Sequence, residues 1–463
     1  MKPTPGASAT DSASLIPPGD GTRAAQLRDG PILSTLVRLS LPNLIALCSA
    51  TVVSIAETAY VGALGVASLG GIALVFPIFM LMQMLSAGAM GGTVSGAISR
   101  ALGRNSSADA RALALTSLAI GLTLGVIFSV AVLAFGPLVY HALGGTGRVL
   151  EEAIAYSNVA ALAIVAVWAT NMLASIARGS GNMIVPASMQ LAAGVVQVAV
   201  GGAFGLGLGP LPKLGMAGVA MGQVVAFTGA ALALVFYLRS PNAHMRLRFA
   251  AKSVSGARIV EIMRVGAVAM LSPLLSVASI LVLTAMVARF GRDALAGFGI
   301  GVRFEFLLIP IAFSIGVASV PMVGTAIGVG NVERARRIAW TAGGLAAAIL
   351  GILGILVLLK PGLWVDMFTD SPAVRFAAYG YLGIAGFGFA FFGLGLCLYF
   401  ASQGAGRVGG AIAAQGIRFA VIVVGGLALT HVSSPLWMVF ALSASAMLLM
   451  GLGTALFVKL ARW

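Results

Sequence analysis

Two acidic residues stand where acids are costly. Glu57 falls inside the apolar run 36–62 and Glu305 inside the run 296–327, whereas the other acids occupy the N-terminal tail, loops or helix mouths, as Asp109, Glu151, Glu261, Glu333 and Asp370 do. A charge at the centre of a membrane helix costs roughly 2.5–3.5 kcal/mol on insertion scales, so such a residue is by default a candidate for function. A carboxyl group there can take a proton from one side and release it to the other. The alternative is a structural ion pair or a protonated, hydrogen-bonded acid. Arg303 is two residues from Glu305, so the two point to opposite helix faces and need not pair. It is a candidate substrate contact, the alternative being that it snorkels towards the outer surface. Asn158 and Asn171 are further candidates for substrate contact, although intramembrane amides ordinarily make interhelical hydrogen bonds. Tyr381 joins them from an aromatic-rich segment (Tyr379, Phe387, Phe389, Phe391 and Phe392 are its neighbours), because aromatic faces attract lipophilic cations.

Catalytic chemistry finds no foothold. The three histidines, His141, His244 and His431, are far apart, and no His/Cys/Asp grouping has metal-ligand spacing. There is no phosphate-binding Walker motif. The expectation is a protein that is not an enzyme and uses no cofactor. Cys48 and Cys397 both fall within apolar runs, where isolated thiols ordinarily pack, without the sequence excluding a disulfide.

The elements that must position these residues are membrane helices. Of 463 residues, 59% are hydrophobic and 9% charged; soluble chains average roughly 45–50% and about 25%. That composition excludes a water-soluble enzyme and a disordered chain. At roughly 20 residues per span the length accommodates about twelve helices. The apolar runs place them at 36–62, 72–99, 112–135, 150–177, 183–204, 215–238, 259–288, 296–327, 338–359, 376–401, 408–429 and 435–458. With both termini inside, most of the 28 Lys and Arg fall in inner segments, which the positive-inside rule favours. The net charge of +15 is therefore read as topogenic and not as nucleic-acid binding.

The chain also repeats. Thr58, Ala59, Val61 and Gly65 recur as Thr284, Ala285, Val287 and Gly291; Tyr156, Gly179, Gly181 and Gln190 recur as Tyr381, Gly404, Gly406 and Gln415. Each half then has six helices in the same orientation, a parallel repeat typical of secondary transporters. The expected fold is an all-α membrane protein of twelve transmembrane helices in two six-helix halves, 33–238 and 259–463. A basic cytoplasmic linker, 239–258, joins them, and a flexible tail, 1–32, precedes them. Glu57 falls on Leu283 and Glu305 on Phe79, so the shared architecture does not require either acid. Gly88, Gly92 and Gly96 form a ridge of small residues that lets a neighbouring helix approach closely.

The segment LVRLSLPNLIALCSATVVSIAETAYVGALGVASLGG (Leu36–Gly71) resembles the first helix of multidrug and toxic compound extrusion (MATE) transporters, with its Leu-Pro and its acid-Thr/Ala-x-x-Val-Gly-x-Leu-Gly signature from Glu57 to Gly65. VGTAIGVGNVERARRIAW (Val323–Trp340) and ARGSGNMIVPA (Ala177–Ala187) are similar to two further segments of that family. The resemblance covers about 33–460. It implies antiport of organic, often cationic, compounds against protons or sodium in a cell membrane, with both termini cytoplasmic. A bacterial inner membrane is meant where the cell is Gram-negative, and function as a monomer is expected. It assigns the coupling cation to Glu57, a departure from the family's usual Asp. Family positions in helices 5 and 6 that carry an Asn, an Asp and a Thr correspond to Gln197, Gly201 and Gln223. The lost second acid favours proton over sodium coupling, with Gln197 and Gln223 as neutral neighbours. Glu305 receives a secondary substrate or coupling role. The competing readings are a sodium-coupled antiporter, a lipid-linked oligosaccharide flippase, which should line its cavity with several basic residues, and a membrane scaffold.

Overall fold

A computed structural model describes residues 20–247, 254–431 and 434–461. The apolar runs fold as helices because the hydrocarbon region offers no water to backbone amides, and a helix satisfies each of them within its own segment. Twelve helices are long and apolar enough to cross a membrane: α1 (Ile32–Leu64), α2 (Val66–Gly103), α3 (Ser107–Ala142), α4 (Gly147–Gly179), α5 (Ile184–Leu206), α6 (Gly215–Arg239), α7 (Gly256–Ala288), α8 (Arg292–Val329), α9 (Val332–Leu359), α10 (Pro372–Ala405), α11 (Gly409–Leu429) and α12 (Leu436–Leu460). Half of them start before and end after the expected apolar runs, and most of the others extend past them at one end. Hydropathy marks only the part in hydrocarbon, about 20 residues, and the helix continues into the interface wherever no breaker stops it.

The repeat is visible in the backbone. Gly65 (φ +127°) separates α1 from α2, and its equivalent Gly291 (φ +100°) separates α7 from α8. Gly181 (φ +85°) and Gly406 (φ +75°) make the same turn between α4 and α5 and between α10 and α11. These left-handed positions are ones that a Cβ makes costly. In the first half α4 is the central helix, packed on α2, α3 and α6; in the second, α10 holds that place against α8, α9 and α12.

Two features lay beyond the sequence expectations. The tail expected to be flexible is helical over Asp20–Asp29, with Leu27 buried against Gly181, while residues 1–19 lie outside the described residues. Of the expected linker, 248–253 likewise lies outside them. Within α2, residues Met84–Met90 form a π-helical turn, a widening that recurs at functional sites.

The glycine ridge faces the other half. A Cβ at Gly88 would stand 3.4 Å from the Phe313 ring, one at Gly92 would overlap the Gln403 side chain, and one at Gly96 would stand 2.6 Å from the Gln403 carbonyl oxygen. Lower on the same helix, Gly103 crosses α8 so closely that its Cβ would meet the Thr325 carbonyl at 2.5 Å and the Gly328 Cα at 2.9 Å. The two halves are therefore joined, backbone against backbone, at the end of the molecule where α1 begins and α12 ends (the terminus end). Substituting Gly103→Val is expected to force α2 and α8 apart at a cost of about 1–3 kcal/mol, seen as a clear drop in the thermal unfolding temperature of the purified protein. Gly299→Ala, where the added methyl meets nothing within 4 Å, should leave that temperature unchanged or raise it slightly.

Candidate functional site

The first half holds Glu57 on α1 against α5. Gln197 Nε2 on α5 donates to Glu57 Oε1 at 2.7 Å. The Tyr60 hydroxyl, one turn on from Glu57, and Tyr156 on α4 lie within electrostatic reach of the carboxyl group. Tyr60 Oη is buried without a geometric hydrogen bond, and so is Gln223 Oε1 on α6. At Gly201 a Cβ would stand 3.0 Å from Tyr60 Oη, so the space a larger residue would need is taken by the phenol. The site is thus one carboxylate among amide and phenol groups. α5 and α6 contribute no acid. A carboxyl in this setting can take up a proton while still accepting from the amide, and its neutralisation leaves no second charge uncompensated.

The second acid faces a separate space. A cavity of about 310 Å³ lies between the halves, with Met80 and Met84 of α2, Phe313 of α8 and Phe400 of α10 in its apolar wall and Glu305 in its lining. Tyr381 Oη on α10 donates a hydrogen bond to Glu305 Oε1. Tyr381 is buried beneath it, edge-on to Phe298 and Phe440. The repeat equivalents of this pair, Phe79 and Tyr156, also touch, with ring centroids 6.1 Å apart.

The remaining candidates are dispersed. Arg303 is exposed on α8, its guanidinium carbon 5.9 Å from the ring centre of Phe368 in the α9–α10 connection, and it does not line the cavity. Asn158 is exposed on α4. Asn171 is buried and holds α4 to α2, donating to Ser86 Oγ at 2.8 Å and to Gln83 Oε1 at 3.3 Å.

Two polar residues of the cavity were missed as candidates. Arg418 on α11 lines it, buried, and lies within electrostatic reach of Glu305. Gln415, one turn earlier on α11, accepts from Ser272 Oγ of α7 at 2.9 Å. The available signal was the sequence itself: Arg303 and Arg418 are the two basic residues well inside the expected spans, Arg38 and Arg264 standing near the ends of theirs.

At the terminus end the join carries its own polar lock. Arg100 Nη1 on α2 donates to the carbonyl oxygens of Gln403 (3.2 Å) and Gly404 (2.7 Å) at the last turn of α10. Beside it, Arg334 Nη2 at the start of α9 donates to the Gly30 carbonyl at 2.6 Å. A vestibule lined by Arg100, Glu261, Arg264 and Arg407 lies on the terminus side of the lock.

Comparison with known proteins agrees with the doubled architecture. The family model described as MatE matches twice, over residues 42–202 and 269–429. The chain is 25% identical to an FAD transporter of Shewanella oneidensis, over 67% of this chain and 69% of that protein. It is 26% identical to a probable multidrug resistance protein NorM of Deinococcus radiodurans, over 76% and 78% respectively. Among solved structures, a MOP superfamily transporter from Pyrococcus furiosus superposes with a TM-score of 0.85 at 23% identity, covering 94% of this chain and 97% of that one. A MATE structure in a bent conformation reaches 0.87 at 22% identity, covering 94% and 96%.

Losing the Arg100 lock should loosen the terminus end. With Cys48 and Cys397 replaced by alanine, a cysteine introduced by Ser402→Cys, a site 2% exposed, should react slowly with a bulky maleimide. Adding Arg100→Leu removes two charge-assisted hydrogen bonds of about 1.5–3 kcal/mol each. The labelling rate is expected to rise at least about tenfold.

Proposed function

The chain belongs to the MatE family of membrane transporters, and we propose that it exports small organic compounds, cations among them, in exchange for protons by alternating access. The observation that carries the reading is the separation of two jobs: a lone carboxylate at Glu57 within one half, and an apolar, aromatic cavity with its own acid between the halves.

In this account Glu57 is the coupling residue. Protonation turns the charge-assisted hydrogen bond from Gln197 into a weaker neutral one and gives the carboxyl an O–H donor of its own, which changes how α1 sits against α5. Gln197 and Gln223 are its neutral neighbours. Sodium wants several hard oxygen ligands with matching charge, and a single carboxylate amid amides suits a proton better. The cavity takes the substrate, as befits relatives named for multidrug resistance. Its aromatic and methionine wall adapts to varied shapes, and Glu305 holds a cationic end. A flippase for pyrophosphate-linked sugars would need a basic lining, and among the described residues Arg418 alone supplies a positive charge to the cavity.

The terminus end is taken as cytoplasmic, a reading that its excess of Lys and Arg supports. The two halves, joined there through Gly103, Gly328 and Arg100, then represent the state closed to the cytoplasm. Opening that end requires the Arg100 bonds to break and the halves to rock, each moving nearly rigidly. One chain holds both sites, so the working unit is taken to be a monomer in the plasma membrane.

Proteoliposomes with ethidium as trial substrate test the reading, with proton and sodium gradients imposed separately. Flux driven by the proton gradient is expected for the wild type, and Glu57→Gln should reduce it at least about tenfold. Flux that sodium alone drives at the wild-type rate would remove proton coupling from the account.

A further inference from the structure

Arg418 is the one strong donor group of the cavity whose partners do not account for it. Its side chain is buried (6% exposed), yet its Nε has no hydrogen-bond partner, and its Nη1 reaches only the thioether of Met450, at 3.6 Å. The guanidinium carbon stands 5.9 Å from the centre of the Phe392 ring. Glu305 shares the cavity and feels its charge, but no ion pair forms between them; the carboxylate is turned instead to Tyr381. A buried guanidinium with unfilled donors is costly, and the group presents a planar fork suited to a two-oxygen anion. The neighbouring polar side chains do not relieve it: Gln415 is engaged with Ser272, and the Tyr399 hydroxyl donates to the Ala269 carbonyl at 3.1 Å.

We infer that Arg418 is a substrate-recognition residue, and that the cavity takes aromatic compounds carrying a carboxylate, zwitterions among them. The carboxylate docks on Arg418, the rings lie against Phe392 and Phe400, and Glu305, which also lines the cavity, receives a cationic group where the compound has one. The apolar remainder of the cavity, about 310 Å³ in all, suits one or two fused rings and excludes a polyanion. This inference rests on the cavity being the substrate site, as proposed above, but not on proton coupling.

The test is therefore an equilibrium one, without any gradient. The full chain in lipid nanodiscs is titrated with dansylglycine and with its uncharged amide, dansylglycinamide, and binding is read from dansyl fluorescence. The wild type should bind the acid at least about tenfold tighter than the amide, and Arg418→Gln should bring the two within about twofold. Glu305→Gln, which removes the carboxylate that opposes an incoming anion, should raise the acid-to-amide ratio; this arm decides the matter even if Arg418→Gln fails to fold. Equal binding of acid and amide by the wild type, absence of saturable binding of the acid, an acid preference that survives in Arg418→Gln, or a ratio that falls in Glu305→Gln would each overturn the inference. Failure of proton-driven ethidium flux would leave these binding results standing.

Discussion

Charge placed in hydrocarbon is costly, and the layout of this protein follows from where that cost is tolerated. Most of the chain avoids it. Lys and Arg gather at the helix ends, and the ion pairs seen among the described residues, such as Arg258 with Asp109 at 3.4 Å and Arg375 with Asp370 at 2.9 Å, lie at the rims. The exceptions are Glu57, Glu305 and Arg418, each in contact with groups that offer incomplete compensation. Glu57 has one amide donor, Glu305 one phenol, and Arg418 a thioether. Such partial satisfaction leaves each group free to exchange its partner for a proton or a ligand, which a fully paired ion would resist.

The internal repeat shows how these exceptions arose on a shared scaffold. Both halves place a tyrosine of the central helix against the second helix of the half. In one the partner is Phe79 and in the other Glu305, so the same contact is a ring pair on one side and a carboxyl–phenol hydrogen bond on the other. Conversely, the equivalent of Glu57, Leu283, sits in a continuous apolar core. Each half therefore carries its own acid in its own place. One acid lies within a half and the other faces the space between halves, an arrangement that suits ion and substrate sites that communicate through helix packing and not through direct contact.

Much of this was legible in the sequence. Composition and apolar run length reveal the number of helices, and the spacing of Gly65 and Gly291 reveals the duplication, because a junction that needs a left-handed backbone keeps its glycine in both copies. The pairing of Glu57 with Gln197 followed from family resemblance. What the sequence left open were facts about faces and partners. Gly88, Gly92 and Gly96 announce a close approach without saying that the approaching helix belongs to the other half. Asn158 and Asn171 are the same residue type on one helix, yet one is exposed and the other bonded to Ser86. Arg418 is visible as an intramembrane cation, but its lack of an oxygen partner depends on three helices meeting around it. The π turn at Met84–Met90 has no residue signature and shows only where α2 borders the cavity.

The central claim is that a single carboxyl group, Glu57, exchanges a proton when substrate binds. Proton release measured directly answers it: ethidium is added to purified protein in weakly buffered solution with a pH-sensitive dye. The account predicts release from the wild type and none from Glu57→Gln, at substrate concentrations that saturate both. Release of the same size from Glu57→Gln would contradict it and move the coupling proton elsewhere.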